Sequence, residues 1–351
     1  MNTALRVGVI GTGALGYHHL RHLRTLDGAA VSGFYESDAA RAAKVSGELG
    51  VAAATSLEAL LDGVDAVSIA VPTPAHFAVA KAALSRGKHV LIEKPITTTL
   101  AEADELLALA RAKGALVQIG HIERFNRAIR AAWPYVDQPL FIESERLAPF
   151  NPRGSDVAVV LDLMIHDIDL VLTLTRARVT EVRAAGVGIL TPSVDIADAR
   201  VAFANGAIAN ITASRISRDR TRKLRLFQRN GYMTLDLAAG NGELYRLRGD
   251  VNLAALAMQA QPDVAAFVER IPLEAPDGDA LRLELESFVG AVRGAAPVPV
   301  TGEDGREALA VALQIVADIE RARTAIAAAG AAAGAAAGAG NAPRTAPTTS
   351  A

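Results

Sequence analysis

The 351-residue chain has no cysteine. That one absence excludes disulfides, thiolate metal centres and cysteine nucleophiles together. Net charge is scarce too: 36 Lys and Arg against 38 Asp and Glu leave −2 at neutral pH. Such a balance gives no electrostatic reason to expect nucleic acid or an anionic membrane as the main partner. Aromatic residues are 4% of the chain and do not interleave with the basic ones, which argues further against nucleic acid. No apolar run is long enough to span a bilayer, and Gly8, Gly11 and Gly13 interrupt the N-terminal stretch a signal peptide would need. The expected location is cytoplasmic.

What is present is apolar material, 51% of the residues, enough for two domains that share a cleft. Between Leu5 and Gly120, short apolar runs at Leu5–Ile10, Ala30–Tyr35, Ala66–Val71, His89–Ile92 and Leu116–Ile119 alternate with helical periodicity at 14–26, 38–48, 75–86 and 99–113. That rhythm predicts an α/β Rossmann domain, a doubly wound parallel sheet, over 1–120. After His121 the pattern changes to a short helix (123–131), a strand around 139–148 and a long apolar helix. Strand-like runs follow at 179–190, 196–204, 207–215, 222–229 and 232–237, with Asn205-Gly206 and Asn230-Gly231 as hairpin turns. Helices near 278–294 and 303–328 close it. This predicts an α+β domain over 121–328 with a large, mostly antiparallel open sheet. The Ala/Gly/Pro-rich segment 329–351 reads as a disordered tail.

The most informative stretch lies in the long helix. Asp162, His166 and Asp169 fall on one stripe of an α-helix, with apolar residues over most of the remaining circumference. A helix apolar nearly all round is buried, and buried carboxylates and imidazoles are costly unless paired or facing a functional cleft.

Gly11-Thr12-Gly13-Ala-Leu15-Gly16 stands between the first strand and the first helix. There Gly11 allows the tight turn, Gly13 the approach of a pyrophosphate, and Gly16 close packing of helix on strand. Glu36 ends the second strand, where a carboxylate holds ribose hydroxyls and repels a ribose phosphate. With Ser37 after it, NAD is favoured over NADP. Pro72, Thr73 and His76 follow the third strand on the edge where a dinucleotide lies; plain turn chemistry with Pro74 opening a helix is the rival reading, and for His76 it explains the residue equally well. Glu93-Lys94-Pro95 ends the fourth strand, which places Lys94 beside both nicotinamide and second domain.

The glycine triplet, Glu93-Lys94-Pro95 and the Asp162/His166 pair resemble the Gfo/Idh/MocA family of nicotinamide-dependent sugar and polyol oxidoreductases, over essentially the whole chain except the tail. The resemblance implies a catalytic group of Lys94, Asp162 and His166, no metal, and subunit contacts through the free face of the second sheet, as homodimer or homotetramer. Gly120-His121-Ile-Glu123-Arg124-Phe125-Asn126, Glu145-Arg146 and Ser214-Arg-Ile-Ser217 are similar to the family's UDP-N-acetylglucosamine 3-dehydrogenase branch. That branch implies a nucleotide-sugar substrate and a role in lipid A or surface polysaccharide precursor synthesis. Within it, His121, Arg124, Asn126 and Arg215 become candidate substrate contacts, with an interdomain salt bridge the rival role for Arg124.

The residue types fit that chemistry. Oxidising a hydroxyl takes a hydride from carbon and a proton from oxygen. His166 can accept the proton with Asp162 orienting it, and Lys94 can stabilise the alkoxide or itself act as base. The basic stretch Arg215, Arg218, Arg220, Arg222, Lys223 and Arg225 reads first as a solvated face and second as a diphosphate clamp. Two other readings stay open: an inositol or free-sugar dehydrogenase, and a non-catalytic dinucleotide sensor or scaffold.

Overall fold

The computed structural model describes residues 4–151, 157–249 and 267–339. The first unit runs β1 (Leu5–Ile10), α1 (Ala14–Leu23), β2 (Ala29–Tyr35), α2 (Ala39–Leu49), α3 (Leu57–Asp62), β3 (Ala66–Ile69), α4 (Thr73–Ser85), β4 (His89–Glu93), α5 (Leu100–Lys113) and β5 (Val117–Gly120). Local chemistry sets the boundaries. Asp38 accepts from the backbone N–H groups of Ala40 and Arg41 to start α2, and Gly50 ends it in a left-handed conformation. Thr99 and Glu102 form a capping box at α5.

The strands form a parallel sheet in the order β2-β1-β3-β4-β5. Strand order reverses between β1 and β3, and the crevice at that switch point is where open α/β sheets take ligands. The strands β3 and β4 are almost wholly buried, as a sheet covered on both faces requires.

After α6 (Arg127–Ala132) comes the second sheet. It comprises β6 (Phe141–Leu147), β7 (Val179–Val187), β8 (Ile196–Phe203), β9 (Ile208–Ser214), β10 (Thr221–Gln228), β11 (Gly231–Asp236), β12 (Asn241–Leu247) and β13 (Val268–Leu273). The order is β13-β12-β11-β10-β6-β9-β8-β7, antiparallel except for the β6–β9 pair. One face packs Ile142, Leu226, Met233 and Leu244 into a core with α7 (Ile165–Thr175). The other face carries a row of touching aromatics, Phe141, Phe227, Tyr232 and Tyr245, one per strand and in register.

Two sequence boundaries shift. Helix α8 (Ala280–Val292), expected in the second domain, packs Leu281, Leu285, Phe288 and Val289 against Val7, Leu20 and Phe34 of the first. Its apolar stripe matches the face that β1 and α1 leave uncovered. Helix α9 (Gly302–Ala339) runs past residue 328, where a disordered tail was expected. Alanine is the best helix former, so the Ala-rich run prolongs the helix. The rest of that expected tail, 340–351, lies outside the described residues.

Candidate active site

Strand β4 delivers Glu93 and Lys94 at its carboxyl end, and the Lys94–Pro95 peptide is cis. Lys94 Nζ donates to the backbone carbonyl of Asp162 at 2.6 Å and lies 3.6 Å from its Oδ1. The long helix opens with a π turn, Val160–Met164, before continuing as α7. A π turn interrupts the regular carbonyl ladder and is common at functional sites. Here it presents the Asp162 carbonyl to an outside donor. The sequence-based expectation of an unbroken α-helix, with Asp162 orienting His166, is corrected. Asp162 faces Lys94, and His166 Nδ1 is buried with no hydrogen-bond partner among the described residues. Asp169, the third residue of the stripe, receives Arg124 bidentately at 2.6 and 2.8 Å.

The electrostatics follow from this packing. Burial pushes the Lys94 amine down from its ordinary value, against the opposing pull of Asp162 and Glu93. Burial also pushes His166 well below its ordinary value, and the cations of Lys94 and Arg146 act in the same direction. The imidazole of His166 is therefore neutral near pH 7, and the Lys94 ammonium gives up its proton more readily than a free lysine.

Arg146, noted in the sequence only as part of the branch motif, has a defined place in the fold. It donates to Asp167 at 2.6 and 3.1 Å and to Glu123 at 2.8 Å, almost fully buried. Burial would lower its pKa, but the two carboxylates outweigh that and raise it. A signal was available: in β6 the period-two alternation sets Arg146 on the same inward face as Ile142 and Ser144. An arginine in phase with the core is paired or functional.

Beside Asp162 a cavity of about 360 Å³ opens among Arg146, Asn151, Arg215, Arg220 and Arg222. Arg215 is nearly buried and donates to the carbonyl of Val157. Arg222 is about 39% exposed and reaches within 3.5 Å of Glu123. A larger cavity of about 510 Å³, near Trp133, Arg176 and Asp304, has neither Lys94 nor His166 in its wall. The smaller cavity's wall also lacks both, but it alone of these two includes Asp162, the partner of Lys94.

On the cofactor side, Gly11 has φ +82°, and a side chain there would strike Val71 and the carbonyl of Ala70. A Cβ on Gly16 would lie 1.9 Å from the Gly11 carbonyl oxygen, so α1 packs on the turn at glycine distance. A Cβ on Gly13 would meet nothing within 4 Å, which leaves open the approach a pyrophosphate needs. Leu15 projects from the first turn of α1, partly exposed. Glu36 accepts from the Thr12 backbone N–H at 2.8 Å and its hydroxyl at 3.1 Å. Burial would raise its pKa, but these donors and the Asp38 N–H hold it below its usual value. Pro72 and Thr73 open α4 on the same edge. These residues fit a dinucleotide.

Three expected contacts do not hold. His76 is buried, with its ring nitrogens 2.8 and 2.9 Å from the carbonyl oxygens of Pro95 and Val71. It pins the loop after β4 instead of facing the cleft. Arg124 is taken up by Asp169. Asn126 caps α6 through its Oδ1 and donates from Nδ2 to Glu123 and to the Leu237 carbonyl. Each satisfies local backbone or a buried charge, a demand that spacing does not reveal. His121 is fully buried, 4.0 Å from Asp169, and burial lowers its pKa. Asp162, His166 and His121 do not gather at metal-ligand spacing among the described residues.

Residues 5–121 match the family model "Oxidoreductase family, NAD-binding Rossmann fold", and residues 112–234 match "GFO/IDH/MocA C-terminal domain". The chain is 39% identical over 321 residues to a UDP-N-acetylglucosamine 3-dehydrogenase of Acidithiobacillus ferrooxidans, covering 90% of this chain and 97% of that protein. The chain belongs to the Gfo/Idh/MocA family. A solved structure of that enzyme, GnnA, superposes on this Gfo/Idh/MocA protein with a TM-score of 0.82 at 38% identity, over 91% of this chain and 98% of that one. A scyllo-inositol 2-dehydrogenase (NAD(+)) of Bacillus subtilis is 30% identical over 236 residues, 62% of this chain and 69% of that protein. As a member of the family, the protein is an oxidoreductase with an NAD-binding Rossmann domain. No helix among the described residues is long and apolar enough to cross a membrane.

Proposed function

We propose that the protein oxidises a ring hydroxyl of a UDP-linked N-acetylhexosamine to a ketone, with Lys94, Asp162 and His166 at the reacting carbon. The observation that carries the substrate class is the arginine-lined cavity opening on Asp162. A diphosphate is the ligand chemistry that rewards several guanidinium groups around one small space. A free polyol carries no charge and gains nothing from them. The likeness to a UDP-N-acetylglucosamine 3-dehydrogenase over nearly the whole chain supports the same reading.

NAD, held by the glycine turn and Glu36, supplies the hydride acceptor. His166, neutral at rest, accepts the hydroxyl proton. Lys94, held by the Asp162 carbonyl and carboxylate, places its ammonium where the alkoxide charge develops. Burial, then Lys94, then Arg146 hold the imidazole neutral, and Arg146 has its own charge matched by Asp167 and Glu123. A ketone beside an acetamido group is suited to transamination, the class of step that leads to the diamino sugars of some lipid A precursors. The row of aromatics on the open face of the second sheet supports a homo-oligomer built through that face.

The test is product analysis. Incubation with NAD and UDP-N-acetylglucosamine yields a nucleotide sugar lighter by two hydrogens in the mass spectrum, matched mole for mole by NADH. An unchanged nucleotide sugar, alongside oxidation of inositol, rejects the reading.

A further inference from the structure

Helix α8 returns from the end of the second sheet to cover the first domain, and it carries Glu284 into the interior. Glu284 is fully buried, and among the described residues neither carboxyl oxygen has a hydrogen-bond partner. It meets Glu93 of β4 and His19 of α1, with the ligating atoms of the three all within 4.8 Å of one another. His19 Nε2 lies 3.1 Å from Glu93 Oε1 without hydrogen-bond alignment, and its Nδ1 lies 2.6 Å from the Ser68 hydroxyl. Beyond this trio, Asp169 of α7 also faces Glu284 electrostatically, but Arg124 already takes both Asp169 oxygens. The other nearby cation, Lys94, is directed to Asp162. Glu284 is thus a carboxyl group with no cation of its own.

Glu93 is packed on every side. Its Oε2 accepts from the Lys94 backbone N–H at 3.3 Å. A Cβ on Gly120 would lie 2.8 Å from the Glu93 carboxyl atoms, so only glycine leaves room for that carboxylate. From the third side comes Glu284, on a helix turn anchored by Gln118, whose Nε2 donates to the Glu284 carbonyl at 3.2 Å and to Ser287 Oγ at 3.0 Å.

We propose that Glu284 carries a proton at neutral pH and is a positioning residue: its carboxyl group bears on Glu93, and Glu93 fixes the backbone from which Lys94 reaches the reacting carbon. Two adjacent buried carboxylates are costly to keep ionised together where the nearby ammonium, Lys94, is directed to Asp162 and His19 is aligned with neither. A proton is the least that satisfies the pair, and it falls to Glu284, the more buried of the two and the one without donors. Burial and the nearby charges of Glu93 and Asp169 hold its pKa well above the usual carboxylate range. The proposal rests on Lys94 acting at the reacting end of the cleft, as argued above, but not on which sugar is bound.

The test compares the full-length protein with Glu284→Gln and Glu284→Ala, by melting temperature and turnover across about pH 6 to 9. For a carboxyl group whose folded pKa is raised, the stability it contributes is complete below the unfolded value and is lost as pH rises through the folded one. The wild-type melting curve should therefore fall with rising pH, and Glu284→Gln should flatten that fall. Gln keeps the neutral shape, so its kcat should stay within about twofold of wild type at neutral pH. Glu284→Ala should lose about tenfold in kcat with a smaller change in KM for NAD. A Gln variant as impaired as Ala overturns the proposal, as does a stoichiometric metal ion, found by elemental analysis, that both variants lose. A kcat and pH profile unmoved in both variants removes the positioning role. The melting arm needs no substrate, so a failure of the UDP-sugar reading leaves it standing.

Discussion

Lys94 Nζ and the backbone carbonyl of Asp162, 2.6 Å apart, join the end of β4 to the π turn before α7 and so tie the two domains together at the reacting site. Lys94→Met removes both that tie and the ammonium. We expect kcat to fall about 10³-fold or more, the scale on which an electrostatic group at a developing oxyanion acts. NAD affinity, read by quenching or calorimetry, should stay within a few fold. His166→Ala should cost about 10²–10⁴-fold in kcat. Near-normal turnover in both single variants would falsify the site.

The resting charges of that pair fix the pH dependence. His166 lies well below its ordinary value, so it is already neutral on the acid side of pH 7 and limits nothing there. Lys94 lies below the ordinary lysine value of about 10.4. Turnover should be flat through neutral pH and fall on the alkaline side, earlier than free lysine would dictate. A kcat that climbs with pH over the same range would make the neutral Lys94 amine the base in place of His166.

The arginine cavity makes a separable prediction. Arg222→Ala and Arg220→Ala should each raise KM for a UDP-sugar about tenfold, the loss of one charge-assisted contact. Their kcat should change far less. An equal effect on an uncharged sugar would show that these arginines support the fold and not a diphosphate.

Two glycines of one turn should fail differently. Gly13→Ala has open space for its methyl, so melting temperature should be unchanged while KM for NAD rises at least about tenfold. Gly16→Ala drives its methyl into the Gly11 carbonyl and should destabilise the fold itself. Thermal melts with and without NAD separate the two.

Arg124 was a candidate substrate contact and is a structural ion pair. Its bidentate bond to a nearly buried Asp169 predicts that Arg124→Ala strands a carboxylate, at a cost of about 3–5 kcal/mol. Chemical denaturation should show that loss, with KM for substrate little changed in the protein that remains folded.

Periodicity and glycine spacing made the first domain legible, because a covered parallel sheet writes its strands as continuous apolar runs. The second sheet's alternation was legible for the same kind of reason. Strands β12 and β13 were not foreseen, and α8 was placed in the wrong domain, since an amphipathic helix states that it must cover a face but not which one. At the candidate site, Lys94, Asp162 and His166 were singled out by type and position, and the fold sets Lys94 against Asp162. The π turn was invisible, because α and π turns share the same local composition. His76 and Asn126 were misread for a common reason: their partners are backbone groups brought close only by the fold. Arg146 stood in the branch motif, but its burial, readable from strand phase, was not drawn.

The most direct measurement is kcat/KM for NAD reduction, taken side by side with UDP-N-acetylglucosamine, free N-acetylglucosamine and myo-inositol. The nucleotide sugar should lead by at least about 10²-fold, and Arg222→Ala should narrow the gap by raising its KM. Equal or better turnover of inositol would contradict the nucleotide-sugar reading.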